Sequence, residues 1–228
     1  MIVVKIVKKR KKIAIGFIIL LIIMTGLVVR KVYAITNHTL LVYLDPGHGG
    51  FDGGATSLDK TILEKDITLA TCLYIQSYLE KTGIQVKMTR TKDEALSTSK
   101  KEDIHKRVKW INDSNCVVYV SVHANAYPAT SVEGAQTFYS TTGNENKQFA
   151  TIMMEQLRIL HPQNTRQAKA ISGKYVLDHT RKTGCLVELG FLTNTNDLAH
   201  LTSDTYLQQI AFSIYTGILC YLEESRKI

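Results

Sequence analysis

Short apolar runs alternate along the chain with longer stretches in which apolar residues recur at helical spacing. LLVYLD (40–45) and the β-branched run CVVYVSV (116–122) predict strands that are buried on both faces of a sheet. Ile84, Val86 and Met88 alternate with polar residues and predict a half-buried strand. Three further runs predict short strands, namely GAQTFYS (134–140), KYVL (174–177) and CLVEL (185–189).

Helical spacing predicts helices between and after these strands. The first begins near Glu64, where Ile67 and Ile75 fall on one face, and it stops before Gly83. Others are expected at residues 100–113, at 144–160 and from Asp204 to residue 224. Alternation of strands and helices is typical of a three-layer α/β fold, so we expect a single such domain over residues 35–228.

Residues 1–34 have a different composition and are expected to form a signal peptide or a membrane anchor. The basic cluster KKRKK (8–12) precedes an uninterrupted apolar run at 13–29. Basic residues on that side keep the N-terminal end in the cytoplasm and direct the rest outward. A retained anchor and a signal peptide cleaved after Val32-Tyr33-Ala34 both remain open. Either one predicts a domain exported across the cytoplasmic membrane, and contact with the membrane if the segment is uncleaved.

The formal net charge of +8 belongs to this N-terminal segment rather than to the expected domain. Eight of the 28 lysines and arginines lie before residue 35, and no acidic residue precedes Asp45. The remaining 20 basic residues are matched by 20 acidic ones, so the expected domain is formally neutral. We therefore predict no nucleic-acid partner.

Four chemically active residues accompany the predicted strands: His48, Glu64, His123 and Glu188. Ligands in open α/β sheets gather beyond the carboxyl ends of the strands, so we expect all four on one rim of the sheet. Two imidazoles and one carboxylate suffice for a catalytic zinc ion with an open position, and the remaining carboxylate can move protons.

Each of these residues also has an ordinary structural interpretation when it is taken alone. His48 could belong to a turn, His123 could be hydrogen-bonded at a strand end, and Glu64 could be a carboxylate favoured by a helix N-terminus. Glu188 differs because it lies within the apolar segment CLVELGF, where a buried carboxylate is costly unless it is paired or functional.

The surrounding residues form six motifs: DPGHGG-x-DGGA (45–55), LEKDITL (63–69), TR (89–90), R-x-x-x-x-N (107–112), SVHANA (121–126) and VELGFLTN (187–194). In this order and spacing they resemble the zinc-dependent N-acetylmuramoyl-L-alanine amidases of the type-3 amidase family, over residues 40–222. The resemblance implies a largely parallel six-stranded sheet flanked by helices. It also implies hydrolysis of the amide between the lactyl group of N-acetylmuramic acid and the L-alanine of peptidoglycan stem peptides.

Carried over by position, the family's zinc ligands become His48, Glu64 and His123, which would hold one Zn²⁺ ion. Glu188 becomes the catalytic carboxylate. A rival enzyme with the same ligand set is a zinc peptidase that cuts within the stem peptide. A rival from another class is a membrane-tethered, non-catalytic protein that binds the wall.

Four other residues have weaker interpretations. Asn125, two residues beyond a candidate ligand, could contact substrate or form a turn. Asp45 could orient a metal ligand or serve only in its turn. Arg107 and Asn112 match the family pattern and are interpreted as structural residues between a helix and a strand.

Within the family, the small single-domain build and GAQTFYS followed by an Asn/Glu-rich turn resemble the germination-specific, CwlD-type branch. That likeness implies action on spore cortex peptidoglycan, on the route to muramic δ-lactam. The chain departs from many relatives at 164–177, where NTRQAKAISGKYVL stands in place of an Asn-Arg-Gly motif. Because we find no wall-binding repeat, recruitment is expected to depend on the N-terminal segment or on a recruiting or activating protein partner.

Overall fold

The computed structural model describes residues 40–143, 145–225 and 227–228. The predicted signal peptide or anchor (1–34) lies outside the described residues, so its boundary at residue 35 stays a prediction. Within the described ranges, no helix combines the length and apolarity needed to cross a membrane.

Strands and helices alternate along the described part of the chain. The strands are β1 (Leu41–Pro46), β2 (Gln85–Met88), β3 (Val118–Asn125), β4 (Gln136–Tyr139), β5 (Lys169–Ala170) and β6 (Gly184–Phe191). The helices are α1 (Glu64–Lys81), α2 (Lys100–Asp113), α3 (Asn146–Leu160), α4 (Tyr175–His179), α5 (Thr195–Leu201) and α6 (Asp204–Glu224).

The strands form one six-stranded sheet in the order β2-β1-β3-β6-β4-β5. Strands β2, β1, β3 and β6 are mutually parallel, whereas β4 runs antiparallel to β6 and parallel to β5. The expected α/β fold with a largely parallel six-stranded sheet is therefore confirmed. The carboxyl ends of β1, β3 and β6 are adjacent at one edge of this sheet.

The sheet is covered by helices on both faces, as a three-layer fold requires. Val42 and Leu44 of β1 belong to a core cluster that includes residues of α1, α3 and α6. Leu41 and Tyr43 point the other way, into a second cluster with residues of α2 and α4. Because β1 is apolar on both faces, it can lie in the interior between the two helical layers.

The sixth strand is not the one that the sequence pattern indicated. KYVL was expected to be a strand, but Tyr175–His179 form the short helix α4, and Lys169–Ala170 supply the sixth strand. A four-residue apolar run carries too little periodicity to separate a strand from a helical turn. Here Val176 and Leu177 are both buried on the same face of the sheet, which a strand could not achieve for neighbouring residues.

Candidate metal centre and catalytic carboxylate

Three potential metal ligands meet at the carboxyl edge of the sheet. His48 follows β1, His123 lies in β3, and Glu64 is the first residue of α1. One donor atom of each lies within 4.8 Å of the other two, so the group could hold a metal ion. The structure therefore brings together the three residues that the sequence indicated as ligands.

The Glu64 carboxylate lies between the two imidazoles. Its Oε1 is 2.8 Å from Nδ1 of His123, and its Oε2 is 3.1 Å from Nε2 of His48. Burial opposes ionisation of Glu64, but the hydrogen bonds with His123 and His48 outweigh it and lower the pKa below its ordinary value. The backbone N–H groups of Ala55 and Ala124 also donate to this carboxylate, at 2.6 and 3.0 Å. Glu64 is thus held in its ionised form, which can bind a metal cation.

His48 is fixed by its backbone and by a second carboxylate. Its φ of 62° lies in the left-handed region, where residues other than glycine are uncommon. Nδ1 of His48 lies 2.9 Å from Oδ2 of Asp52, which leaves Nε2 directed at Glu64. A carboxylate that orients the second nitrogen of a histidine is a common feature of metal sites. Sequence reasoning missed Asp52, although it is the aspartate that follows the histidine in DPGHGG-x-D.

Two glycines leave the space that the ligand side chains fill. A Cβ at Gly47 would lie 2.4 Å from Cε1 of His123, and one at Gly54 would lie 2.5 Å from Oε2 of Glu64. Any side chain at these positions would displace a candidate ligand. Two imidazoles and a carboxylate in such a cradle match the donor set of a catalytic zinc site, so the residues present fit this metal.

Glu188 lies beside this group on the neighbouring strand. It is the register partner of His123 in the parallel pair β3 and β6, and it is 7% exposed. Its Oε2 atom is buried and has no hydrogen-bond partner among the described residues. Burial raises the pKa of Glu188 to about 7. A buried carboxylate that lacks a partner is costly and is typical of a functional site.

Asp45 supports the loop after β1, and among the described residues its carboxylate forms no hydrogen bond with the side chains of the candidate ligands. Its Oδ1 accepts hydrogen bonds from Thr89 and from Nη1 of Arg107, at 2.7 and 2.9 Å, and its Oδ2 accepts one from Ser121. Arg107 also forms an ion pair with Asp103 at 2.5 Å and donates to the carbonyl oxygen of His48 at 2.5 Å. Asp45 and Arg107 therefore form a buried ion pair beneath the His48 loop.

Asn112 and Asn125 lie near opposite ends of the parallel strands. Oδ1 of Asn112 accepts from the N–H of Arg181, which precedes β6, so this side chain links α2 to the amino end of that strand. Oδ1 of Asn125 accepts from the N–H of Ala126 in a local turn at the carboxyl end of β3. Asn125 is half-buried close to His123, whereas Asn112 is remote from the candidate metal centre.

Two histidines and a glutamate lie at the carboxyl edge of the sheet, and a buried carboxylate lies beside them. This arrangement is typical of a hydrolytic enzyme. The chain belongs to the N-acetylmuramoyl-L-alanine amidase family of type 3, whose family model matches residues 42–220. The amidase activity predicted from the motifs is therefore confirmed, and with it the enzyme class.

Individual relatives agree with this assignment. The chain is 41% identical over 192 residues to the germination-specific N-acetylmuramoyl-L-alanine amidase of Bacillus subtilis, a match that covers 81% of this chain and 80% of that protein. It is similar to the CwlD amidase of Clostridioides difficile, solved in complex with the GerS lipoprotein, with a TM-score of 0.78, 34% identity, and 81% and 98% of the two chains covered. The amidase AmiC2 of Nostoc punctiforme gives a TM-score of 0.73 at 31% identity, with 81% and 98% covered.

Proposed function

We propose that the amidase reaction depends on one Zn²⁺ ion held by His48, Glu64 and His123, with Glu188 as the group that carries the proton. The observation that supports this proposal is the buried Oε2 atom of Glu188, which has no partner among the described residues and belongs to the register partner of His123. The bond cut is the amide between the lactyl group of N-acetylmuramic acid and L-alanine.

In this proposal, His48, Glu64 and His123 hold the metal, and Glu188 transfers the proton. When bound, zinc supplies polarisation of the lactyl carbonyl and acidification of a water molecule. Glu188, with a pKa of about 7, can accept a proton from the attacking water and return it to the departing alanine nitrogen. Asp52 keeps the His48 ring oriented throughout, through the contact at Nδ1.

Two measurements test the assignment together. The purified protein should contain stoichiometric zinc, and chelation should abolish its activity. Digestion of muropeptides should release stems with a new N-terminal alanine, which mass mapping detects. A cut inside the stem peptide would instead support the zinc peptidase, and full function after complete zinc removal would contradict the metal role.

The biological setting that we infer is the spore cortex, since the Bacillus subtilis relative is a germination-specific amidase. Removing the stem frees the muramic lactyl carboxylate, which a separate deacetylase activity then helps convert to muramic δ-lactam. The domain would act after export, as a wall-side enzyme that is secreted or held by an uncleaved N-terminal segment. Deleting the gene should deplete cortex muramic δ-lactam, and unchanged lactam content would contradict this role.

A protein partner for this chain is part of the same proposal. The Clostridioides difficile CwlD amidase was solved in complex with a lipoprotein, and this chain covers 98% of that amidase. Comparing the activity of the purified protein alone with its activity after co-expression with candidate spore lipoproteins would test for recruitment or activation. Full specific activity and normal spore localisation without any partner would contradict it.

A further inference from the structure

Arg166 stands out as a fixed cation beside the catalytic face. Its Nε donates to the carbonyl oxygen of Glu133 and its Nη1 donates to Oε1 of Gln136, both at 3.0 Å. Its guanidinium also lies over the ring of Phe191, 5.2 Å from the centroid. Two neutral acceptors and an aromatic face restrict this side chain without neutralising its charge.

The charge of Arg166 has no ionic partner in the described part of the chain. No carboxylate of the described residues lies within 4.0 Å of its guanidinium, and its Nη2 atom donates no hydrogen bond there. The carboxylate of Glu133 accepts instead from the side-chain amide of Asn196, at 3.1 Å. Arg107, by contrast, is buried and paired with two aspartates. The Arg166 guanidinium is therefore held in place with its charge available to bind an anion from outside the protein.

Strand register places this cation next to the reacting groups. Gln136 of β4 is the antiparallel register partner of Glu188, so the two side chains project from the same face of the sheet. His123 is the next residue in the row, as the partner of Glu188 in β3. Gln136 thus lies between Glu188 and Arg166: it is the register partner of Glu188, and its Oε1 accepts from the guanidinium while its Nε2 donates to the carbonyl oxygen of Gln167 at 3.1 Å.

A second cation acts on the same face. Lys174 is exposed at the start of α4, and its charge is among those that act on the Glu188 carboxylate. Side chains paired across a sheet lie about 5 Å apart, and the Arg166 contact extends the row beyond Gln136. One such step from Glu188 to Gln136 and the 3.0 Å contact from Gln136 to Arg166 together span about 8 Å, close to the length of two residues of extended peptide at about 3.5 Å each.

We propose that Arg166, held by Gln136 and Phe191, binds a carboxylate on the peptide side of the scissile amide and so selects the stem. The residue that follows L-alanine in a muramoyl stem is a γ-linked D-glutamate, whose α-carboxylate is either free or amidated. A guanidinium recognises a planar carboxylate through two parallel hydrogen bonds, whereas an amidated group has no charge and leaves only its carbonyl oxygen as an acceptor. Arg166 thus determines a preference for stems with a free α-carboxylate. This inference rests on the amidase reaction proposed above.

Two substrates that differ in a single group test the inference. They are N-acetylmuramoyl-L-alanyl-D-glutamic acid γ-methylamide and its α-carboxamide analogue. We expect the wild-type zinc-loaded protein to prefer the free carboxylate by about 10-fold or more in kcat/KM, mainly through KM, since a charge-assisted hydrogen bond contributes about that factor. R166Q should lower kcat/KM much more for the carboxylate substrate than for the carboxamide, so that the wild-type preference is largely lost. R166K, which keeps charge but loses the planar fork, should fall between them.

The control is R181Q, which removes an exposed arginine at the amino end of β6, away from the metal centre. It should keep the wild-type preference. Equal cutting of both substrates by the wild-type protein would overturn the inference, and this comparison needs no variant to fold. Equal losses on both substrates in a folded R166Q protein would also overturn it, since they indicate a purely structural role. Failure of the wild-type protein to cut either substrate would instead contradict the zinc-dependent reaction proposed above, and the inference with it.

Discussion

The raised pKa of Glu188 predicts a distinctive pH dependence of stability in the metal-free protein. Burial raises this pKa from 4.5 to about 7, so the folded protein holds the proton more tightly than the unfolded chain does. The resulting contribution to stability is fully present below pH 4.5 and is lost as the pH rises through 7. At about 1.4 kcal/mol per pKa unit, the loss amounts to about 3 kcal/mol, most of it between pH 5 and pH 8.

Replacing Glu188 by glutamine removes the titration while nearly preserving shape. Urea unfolding in the presence of chelator, at pH 5 and pH 8, should therefore show that E188Q gains about 2.5 kcal/mol relative to wild type between the two pH values. E155Q provides the matched control, because Glu155 is exposed on α3, and its difference from wild type should not change with pH. A stability difference between E188Q and wild type that is the same at both pH values would refute the reasoning. In the zinc-loaded protein, E188Q should keep the metal but lose activity by about 10²–10⁴-fold.

Three other substitutions, one of them with a matched control, test the candidate site and the residues that support it. H123A should lose the metal, which metal analysis after dialysis would reveal, and retention of stoichiometric metal would contradict its role as a ligand. R107M should lower the free energy of unfolding in urea by about 3–5 kcal/mol, because it leaves Asp45 buried without its cation, and a loss below about 1 kcal/mol would contradict that role. G54A should weaken metal affinity, because its Cβ would lie 2.5 Å from the Glu64 carboxylate at a φ of +72°. G83A separates crowding from strain, since Gly83 has a φ of +81° and nothing within 4 Å; similar metal affinity in both variants would contradict the crowding argument.

Much of the candidate metal centre could be predicted, because the positions of its residues follow from the order of the strands and helices. Residues Glu64–Lys81 carry the helical spacing that sets α1, and the apolar strands β1 and β3 end next to His48 and His123. Once these strands are parallel neighbours, their carboxyl ends share one edge of the sheet. The proximity of the candidate ligands is therefore a consequence of local patterns, and the resemblance to the family assigned their chemistry.

The supporting contacts could not be predicted, because they join residues that are distant in sequence. The family pattern indicates a structural role for Arg107, but nothing in its run of charged residues shows that it is 4% exposed and pairs with Asp45. The contact between Arg166 and Gln136 likewise depends on β4 joining the sheet antiparallel to β6, a feature that no local pattern shows. Such pairings are determined by tertiary packing, which overrides what a charge pattern suggests about exposure.

The buried arginines beneath the loop that carries His48 have a structural purpose, which is to support the backbone of that loop. A left-handed backbone at His48 costs about 1–2 kcal/mol for a residue with a Cβ, so the loop needs support from elsewhere. Two cations provide it: Arg107 donates to the carbonyl oxygens of Pro46 and His48, and Arg90 donates to that of Gly47 at 2.9 Å. Hydrogen bonds from charged donors contribute about 1.5–3 kcal/mol each, enough to offset the strain. Because these bonds involve only protein groups, the imidazole of His48 is already oriented before any metal binds.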